Sequence, residues 1–356
     1  MTIDITTALN NIIHPTIGKN IKAMGITSHI TPVANGFDII LTTPFPASFL
    51  SSIFLPLVQD TLNKSFAPKK IKVRLVEDIR VHKTQLSGKK LKQIKNTIAI
   101  ASGKGGVGKS TVTVNLATAL AKAGARVGIL DADIYGPSIP LMLGTATLKD
   151  APLQSNQPVI AHGLQTMSIG YLIESDQALI WRGPMLAKAL IEMLDNTKWD
   201  ALDYLFIDLP PGTGDIQLSL VQKIPLTSAI VVTTPQDVAT LDARKAIKMF
   251  EKTHIDVLGI IENMAYHLCP NCQHQSHIFG HEGGQALAKE LQVPMLGQLP
   301  LDIQIRLQSD AGQPLSNSSS ALSEQIMSMA FNVALTLSQK PLQQNNPFPP
   351  IKVISE

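Results

Sequence analysis

The stretch Gly103-Lys104-Gly105-Gly106-Val107-Gly108-Lys109-Ser110-Thr111 follows the apolar run Ile98-Ala99-Ile100-Ala101-Ser102 directly and opens a helical pattern. It contains the spacing G-x-x-x-x-G-K-[ST] between a strand and a helix, the one context in which such a loop can cradle phosphate. The glycines let backbone N–H groups curl around phosphate oxygens, and the helix N-terminus adds its positive end. Lys109 reaches toward β- and γ-phosphates, the Ser110 hydroxyl toward Mg²⁺, and Thr111 toward the α-phosphate.

This demand for a strand, a loop and a helix fits the texture of the chain from Thr97 onward. Short β-branched runs (Thr97–Ala101, Val127–Asp131, Leu205–Asp208, Ser228–Thr233, Val257–Ile261, Met295–Leu299) alternate with helices such as Ser110–Ala123, Asp237–Lys252 and Ser320–Leu337. The pattern predicts an α/β fold with a mostly parallel sheet covered by helices on both faces. Residues 1–76 read as a small α/β module: a helix over Ile5–Ile13, strands Ile26–Val33 and Phe37–Thr43, a helix Phe49–Leu62, and a strand Ile71–Val76. A basic linker over 77–96, with Lys89, Lys90, Lys92 and Lys95 as its charged cluster, separates the module from a domain spanning 97–338. The tail 339–356, carrying Pro341, Pro347, Pro349 and Pro350, is expected to be disordered.

Two further strand ends bring carboxylates to the same sheet edge, where α/β sheets bind ligands. Leu205-Phe206-Ile207-Asp208 places Asp208 as the partner of Mg²⁺, a hard ion that takes oxygen ligands. Leu130-Asp131-Ala132-Asp133 places Asp133 to orient an attacking water.

Composition removes several classes. The net charge of +3 is too mild for a nucleic-acid domain. No signal-peptide pattern opens the chain, and no run of roughly 18 apolar residues spans a membrane. The two cysteines, Cys269 and Cys272, exclude a disulfide framework and suit a reducing cytoplasm. Their C-x-x-C spacing lets both thiolates face one metal. From chemistry alone two readings stay open. One is a [4Fe–4S] cluster, which wants four thiolates and so a two-fold dimer. The other is zinc held with two of His274, His277 and His281. A redox pair at a helix start is a third, poorly matched option.

The loop with its extra lysine, Lys104, resembles the deviant Walker A of MinD/ParA-type P-loop ATPases. Within them the chain resembles the Mrp/ApbC group of iron–sulfur cluster carriers, over roughly residues 97–315. The matching stretches are Asp131-Ala132-Asp133-Ile134-Tyr135-Gly136-Pro137-Ser138, Trp181-Arg182-Gly183-Pro184-Met185, Asp203 to Asp215, Glu262-Asn263-Met264, Cys269-Pro270-Asn271-Cys272 and Ile278-Phe279-Gly280. The resemblance implies a P-loop NTPase fold, slow ATP hydrolysis with Mg²⁺, and a homodimer. The cluster would sit between the paired Cys269 and Cys272 and pass from a donor to apo iron–sulfur proteins.

It also implies that Lys104 crosses to the partner's nucleotide, that Asp208 to Asp215 sense the γ-phosphate, and that Asn263 hydrogen-bonds adenine. No guanine-reading N-K-x-D occurs in the chain, which favours ATP. The first 76 residues resemble the small domain that often precedes these ATPases, without its acidic residues or its cysteine. A membrane-cycling MinD-like ATPase is the main alternative, and the Pro-, Gln- and Asn-rich tail lacks the amphipathic helix it would need. A nitrogenase-iron-protein-like electron donor would draw its cysteines from separate segments, and a zinc-stapled dimer would leave the phosphate loop without a use.

Overall fold

A computed structural model of the protein describes residues 4–86, 91–134, 136–148, 156–171 and 183–343. Lys89 and Lys90 of the basic run, Tyr135, the Trp181-Arg182 pair and the tail from residue 344 lie outside them.

The N-terminal module comprises α1 (Ile5–Asn10), the antiparallel hairpin β1 (Thr27–Val33) and β2 (Gly36–Thr43), α2 (Ser48–Ser51), α3 (Phe54–Ser65), and β3 (Lys70–Glu77), parallel to β2. Alternate residues of β2 and β3 (Ile39, Leu41, Ile71, Val73) turn toward Phe54, Val58 and Leu62 of α3 in one buried core, as period-two strands and a helical stripe require. The single helix expected over Phe49–Leu62 is two. Pro56 has no N–H for an interior helical bond, and the second helix restarts so that Pro56 falls in its first turn, where none is needed.

The body adds β4 (Ile94–Ser102), α4 (Lys109–Lys122), β5 (Val127–Asp131), the single turn α5 (Ile139–Met142), β6 (Val159–Ala161), β7 (Leu164–Ser168), α6 (Gly183–Asn196) and β8 (Leu202–Asp208). It continues with α7 (Asp215–Lys223), β9 (Ser228–Thr233), α8 (Asp237–Lys252), β10 (Val257–Glu262) and the short hairpin β11 (His267–Leu268) and β12 (Gln275–Ser276). The chain closes with α9 (Gly283–Leu291), β13 (Met295–Gln298), α10 (Ile303–Asp310) and α11 (Ala321–Ser338).

Eight strands form one sheet in the order β13-β10-β9-β4-β8-β5-β7-β6, parallel throughout except β6 against β7. The mostly parallel sheet matches the expectation. Its β6–β7 edge is an addition that the sequence pattern did not reveal.

Strand β4 shows why both faces are covered. Ile98 and Ile100 pack with α4 and α11, whereas Ala99 and Ala101 face the layer of α6, α7 and α8. The first of these cores also takes in the N-terminal module. Phe331 of α11 stacks on Phe49 at 5.0 Å and meets Phe45 edge-on at 5.2 Å. The expected linker is fastened as well: the Gln85 side chain donates to Val221 O and Ile224 O, and His82 N donates to Asn96 Oδ1. Disorder was expected from residue 339. The backbone of Pro341–Gln343 instead pairs with Val81–Lys83, because the main-chain groups on either side of a proline still bond an exposed neighbour. Among the described residues no helix is long and apolar enough to cross a membrane.

Asp203 ties β8 to its neighbours. It accepts from Arg126 N, Nε and Nη2 at 3.0–3.2 Å, and Lys95 Nζ lies 2.9 Å away. Burial pulls this carboxyl upward, but the Arg126 and Lys95 bonds outweigh it and hold it below the usual range. A depressed carboxylate stabilises the fold above its unfolded value and loses that contribution as pH falls through the folded one. Asp203→Ala is therefore expected to cost about 2 kcal/mol near neutral pH and progressively less as pH falls below the ordinary carboxylate range, as measured by urea unfolding along a pH series.

Candidate functional site: a phosphate loop, its carboxylates and a cysteine hairpin

The loop leaves β4 at Ser102, whose hydroxyl donates to Lys104 O, and is anchored from below by Gly212 N donating to Ser102 O. Two glycines are fixed by their surroundings. At Gly103 a Cβ would lie 2.1 Å from the Asp242 carbonyl carbon of α8, so only glycine permits this approach. Gly108, at φ +81°, caps α4, and a Cβ there would lie 2.1 Å from Asn263 Nδ2. Lys109, Ser110 and Thr111 then form the first turn of α4, with N–H groups that have no partner within the helix.

Lys109 is buried at 6% exposure and folds back onto the strand ends. Its Nζ stands 2.7 Å from Asp208 Oδ2 and 3.4 Å from Asp133 Oδ2. Asp208 also accepts from the Ser110 hydroxyl and, at Oδ1, from Thr113 Oγ1 at 2.7 Å. Asp131 accepts from Ser168 Oγ at 2.8 Å and from Asp133 N at 3.2 Å.

Three carboxyls thus surround one ammonium. Burial drags Lys109 downward, but Asp208, Asp133 and Asp131 reverse this and hold it above the ordinary lysine range. Burial, with Asp208 beside it, pushes Asp131 up to about 8. Burial also raises Asp133, against the pull of Lys109.

Among the described residues Asp133 Oδ1 is buried without a hydrogen-bond partner. With the Ser110 hydroxyl resting on Asp208, this is an oxygen-rich set suited to a hard divalent cation. Sequence reasoning singled out Asp133 and Asp208 but passed over Thr113 and Asp131. Thr113 lies one helical turn beyond Lys109, and Asp131 lies two residues before Asp133 in an extended segment, so both periodicities placed them on the same side.

Two expected residues are differently engaged. Lys104 Nζ donates to Gln236 Oε1 of its own chain at 3.3 Å. Asn263, 3% exposed, donates through Nδ2 to Val107 O at 2.9 Å, while its Oδ1 accepts from Met264 N.

Cys269 and Cys272 sit in the turn between β11 and β12, both as free thiols, Cys272 exposed. Cys269 N donates to His274 O and Gln273 N to Cys269 O, closing the turn. Backbone N–H groups of Cys272 and Asn271 hydrogen-bond the Cys269 sulfur and hold its thiol below the ordinary range, which favours a metal-binding thiolate. His277 is spent on Ala265 O at 3.1 Å, and its ring meets His281 edge-on at 4.3 Å. Among the described residues no three His, Cys, Asp or Glu side chains gather in a group that could hold a metal.

A parallel α/β sheet, a glycine loop at the head of α4, and carboxylates on the adjoining strand ends define a nucleoside-triphosphatase of the P-loop class. A family model described as ParA, NUBPL iron-transfer P-loop NTPase, matches residues 93–334, and the chain belongs to that family.

Among curated proteins, the iron–sulfur cluster carrier protein of Escherichia coli K12 is 46% identical, covering 86% of this chain and 84% of its own. That of Synechocystis is 41% identical, with coverage of 93% and 96%. Among solved structures, a nucleotide-binding protein of Archaeoglobus fulgidus in complex with ADP is 41% identical with a TM-score of 0.55, covering 62% of this chain and 88% of that one. The cell division ATPase MinD of Pyrococcus furiosus, 23% identical with a TM-score of 0.52 and coverage of 67% and 98%, shares the fold.

Proposed function

We propose that this protein is an ATP-hydrolysing iron–sulfur cluster carrier. It works as a homodimer, receives a [4Fe–4S] cluster as cargo from a donor, and passes it to apo iron–sulfur proteins. The observation that carries the reading is the cysteine hairpin. Two free thiols, that of Cys269 held below the ordinary range by backbone hydrogen bonds, are presented on a turn a few residues beyond Asn263, which touches the phosphate loop.

One chain supplies two sulfurs, and a two-fold axis beside the hairpin supplies the four that a [4Fe–4S] cluster takes. Exposed Leu268 and Ile278 on the hairpin, with Val238 and Leu241 on α8, offer apolar surface for that contact. The N-terminal module holds no cysteine, so the cargo site is the hairpin alone.

In this reading Gly103 to Thr111 bind the phosphates, and Lys109 leaves Asp208 and Asp133 for the β- and γ-phosphates. Ser110 and Asp208 hold Mg²⁺, which supplies charge neutralisation at the phosphates when bound. Asp133 orients the attacking water. Lys104, released from Gln236, reaches the partner's nucleotide, and Asn263 meets adenine. The thiols require a reducing compartment such as the cytoplasm.

Anaerobic reconstitution with iron and sulfide, read by metal analysis, tests the reading. About four irons and four sulfides per dimer are expected, and both are lost in Cys269→Ala. Cysteine-dependent zinc without a stable cluster would overturn it.

A further inference from the structure

The cysteine hairpin is tied to the phosphate loop from two sides. On one side Asn263 Nδ2 holds Val107 O at 2.9 Å, against Gly108. The chain then turns through Met264, at φ +55°, and reaches Cys269 after Ala265, Tyr266 and β11.

This leg is stitched to β13 and the segment after it by Ala265 N to Leu299 O at 2.9 Å and Leu301 N to Tyr266 O at 2.7 Å. The returning leg is fixed to the same strand end. His277 Nδ1 donates to Ala265 O, and the buried Glu262 side chain accepts from Gly284 N at 2.6 Å and from Gln298 Nε2 at 2.6 Å. On the other side of the loop, Lys104 bonds Gln236, and the preceding Pro235 carbonyl packs against Gly280 and Gly283 of the returning leg. On the first path the loop and the base of the hairpin are joined by the Asn263 side chain and by backbone hydrogen bonds. A displacement of Val107 must therefore move Asn263 and the hairpin with it, or break the hydrogen bond between them.

We propose that Asn263 is a positioning residue that transmits the state of the phosphate loop to the cysteines, with His277 as the brace that makes the returning leg follow. Its meaning for cargo release rests on the carrier reading above. The mechanical link does not. Nucleotide entering the loop draws on Val107 and Gly108, the Asn263 amide moves with them or leaves Val107 O for the adenine, and the turn carrying Cys269 and Cys272 changes its exposure.

The chain has only two cysteines, so intact-mass analysis of iodoacetamide alkylation reports the hairpin alone. The experiment uses the full-length reduced, metal-free protein with and without saturating MgADP. In the wild type MgADP is expected to change the alkylation rate about fivefold or more, the low end of ordinary coupling between sites.

In His277→Ala, and in Asn263→Ala at an MgADP concentration shown to saturate that variant, the two rates are expected to become equal. His277→Ala should keep the wild-type affinity for MgADP and the thermal shift it produces, which shows that the fold and the nucleotide site persist. Equal rates in the wild type, or a nucleotide effect that survives in either variant, would overturn the link. Iron and sulfide loading of the same wild-type sample judges the carrier reading separately. A nucleotide effect without a cluster removes the cargo and leaves the link standing.

Discussion

Lys109→Met is expected to lower ATP hydrolysis by about 10²–10³-fold or more, the loss that follows removal of a charge aimed at the transferring phosphoryl group. It is also expected to destabilise the nucleotide-free protein. The Lys109 ammonium is the cation held against Asp208 at 2.7 Å and Asp133 at 3.4 Å, in a site where Asp208 is wholly buried. Removing one partner of such a group strands the others, at a cost of about 3–5 kcal/mol.

The sign of the pH dependence follows from Asp131, which burial and Asp208 already push up to about 8. An acid raised in the folded state stabilises below its unfolded value and loses that contribution as pH rises through the folded value. Without the pull of Lys109, Asp131 and Asp133 resist ionisation further, so the deficit in Tm should widen from about pH 6 to about pH 9. A steady-state phosphate-release assay and melts across that range test both halves. Wild-type turnover in this variant would place hydrolysis elsewhere.

Gly103→Ala is expected to weaken MgADP binding at least about tenfold and to cost about 1–3 kcal/mol of stability, the range for atoms forced into a packed site. The new methyl would meet backbone, not a side chain that can rotate away: Asp242 C at 2.1 Å, its oxygen at 2.2 Å and Ala243 N at 2.6 Å. The loop or α8 has to move, and the loop is the lighter of the two. Gly105→Ala is the internal control, because the nearest atom to its Cβ would be Pro211 Cγ at 4.0 Å. Titration calorimetry with MgADP and urea unfolding of both variants decide the matter. Equal behaviour would mean that close packing on α8 does not set the shape of the loop.

The parts of this fold that were legible in the sequence are those whose cause is local. Gly103 to Thr111 declared a strand, a loop and a helix because each residue type is needed within a few positions of the others. The central strands declared themselves through unbroken β-branched runs, since both of their faces are buried. Strands β6 and β7 did not, because β6 is a three-residue edge strand and the short β7 is interrupted by the polar Gln165, Thr166 and Ser168.

Long-range pairings were invisible for the same reason. Asn263 and Val107 are 156 residues apart, and nothing near either one announces the bond. Histidines close behind the C-x-x-C suggested zinc by count, and nothing near them announced that His277 Nδ1 bonds the Ala265 carbonyl. The prolines of the tail argued for disorder from residue 339, yet Pro341–Gln343 lie against Val81–Lys83, whose exposed backbone groups no propensity scale takes into account.

Phe331 ends the story of the small N-terminal module as a separate object. Its ring is shared between Phe45 and Phe49 of the module and the apolar layer beneath α4, and Ser48 Oγ donates to Ala123 O just past the end of α4. The helix whose head carries the phosphate loop therefore rests its far end on the module. The module acts as a foundation stone for α4: whatever loosens its packing on Phe331 and Ala123 also loosens the helix that carries the phosphate loop.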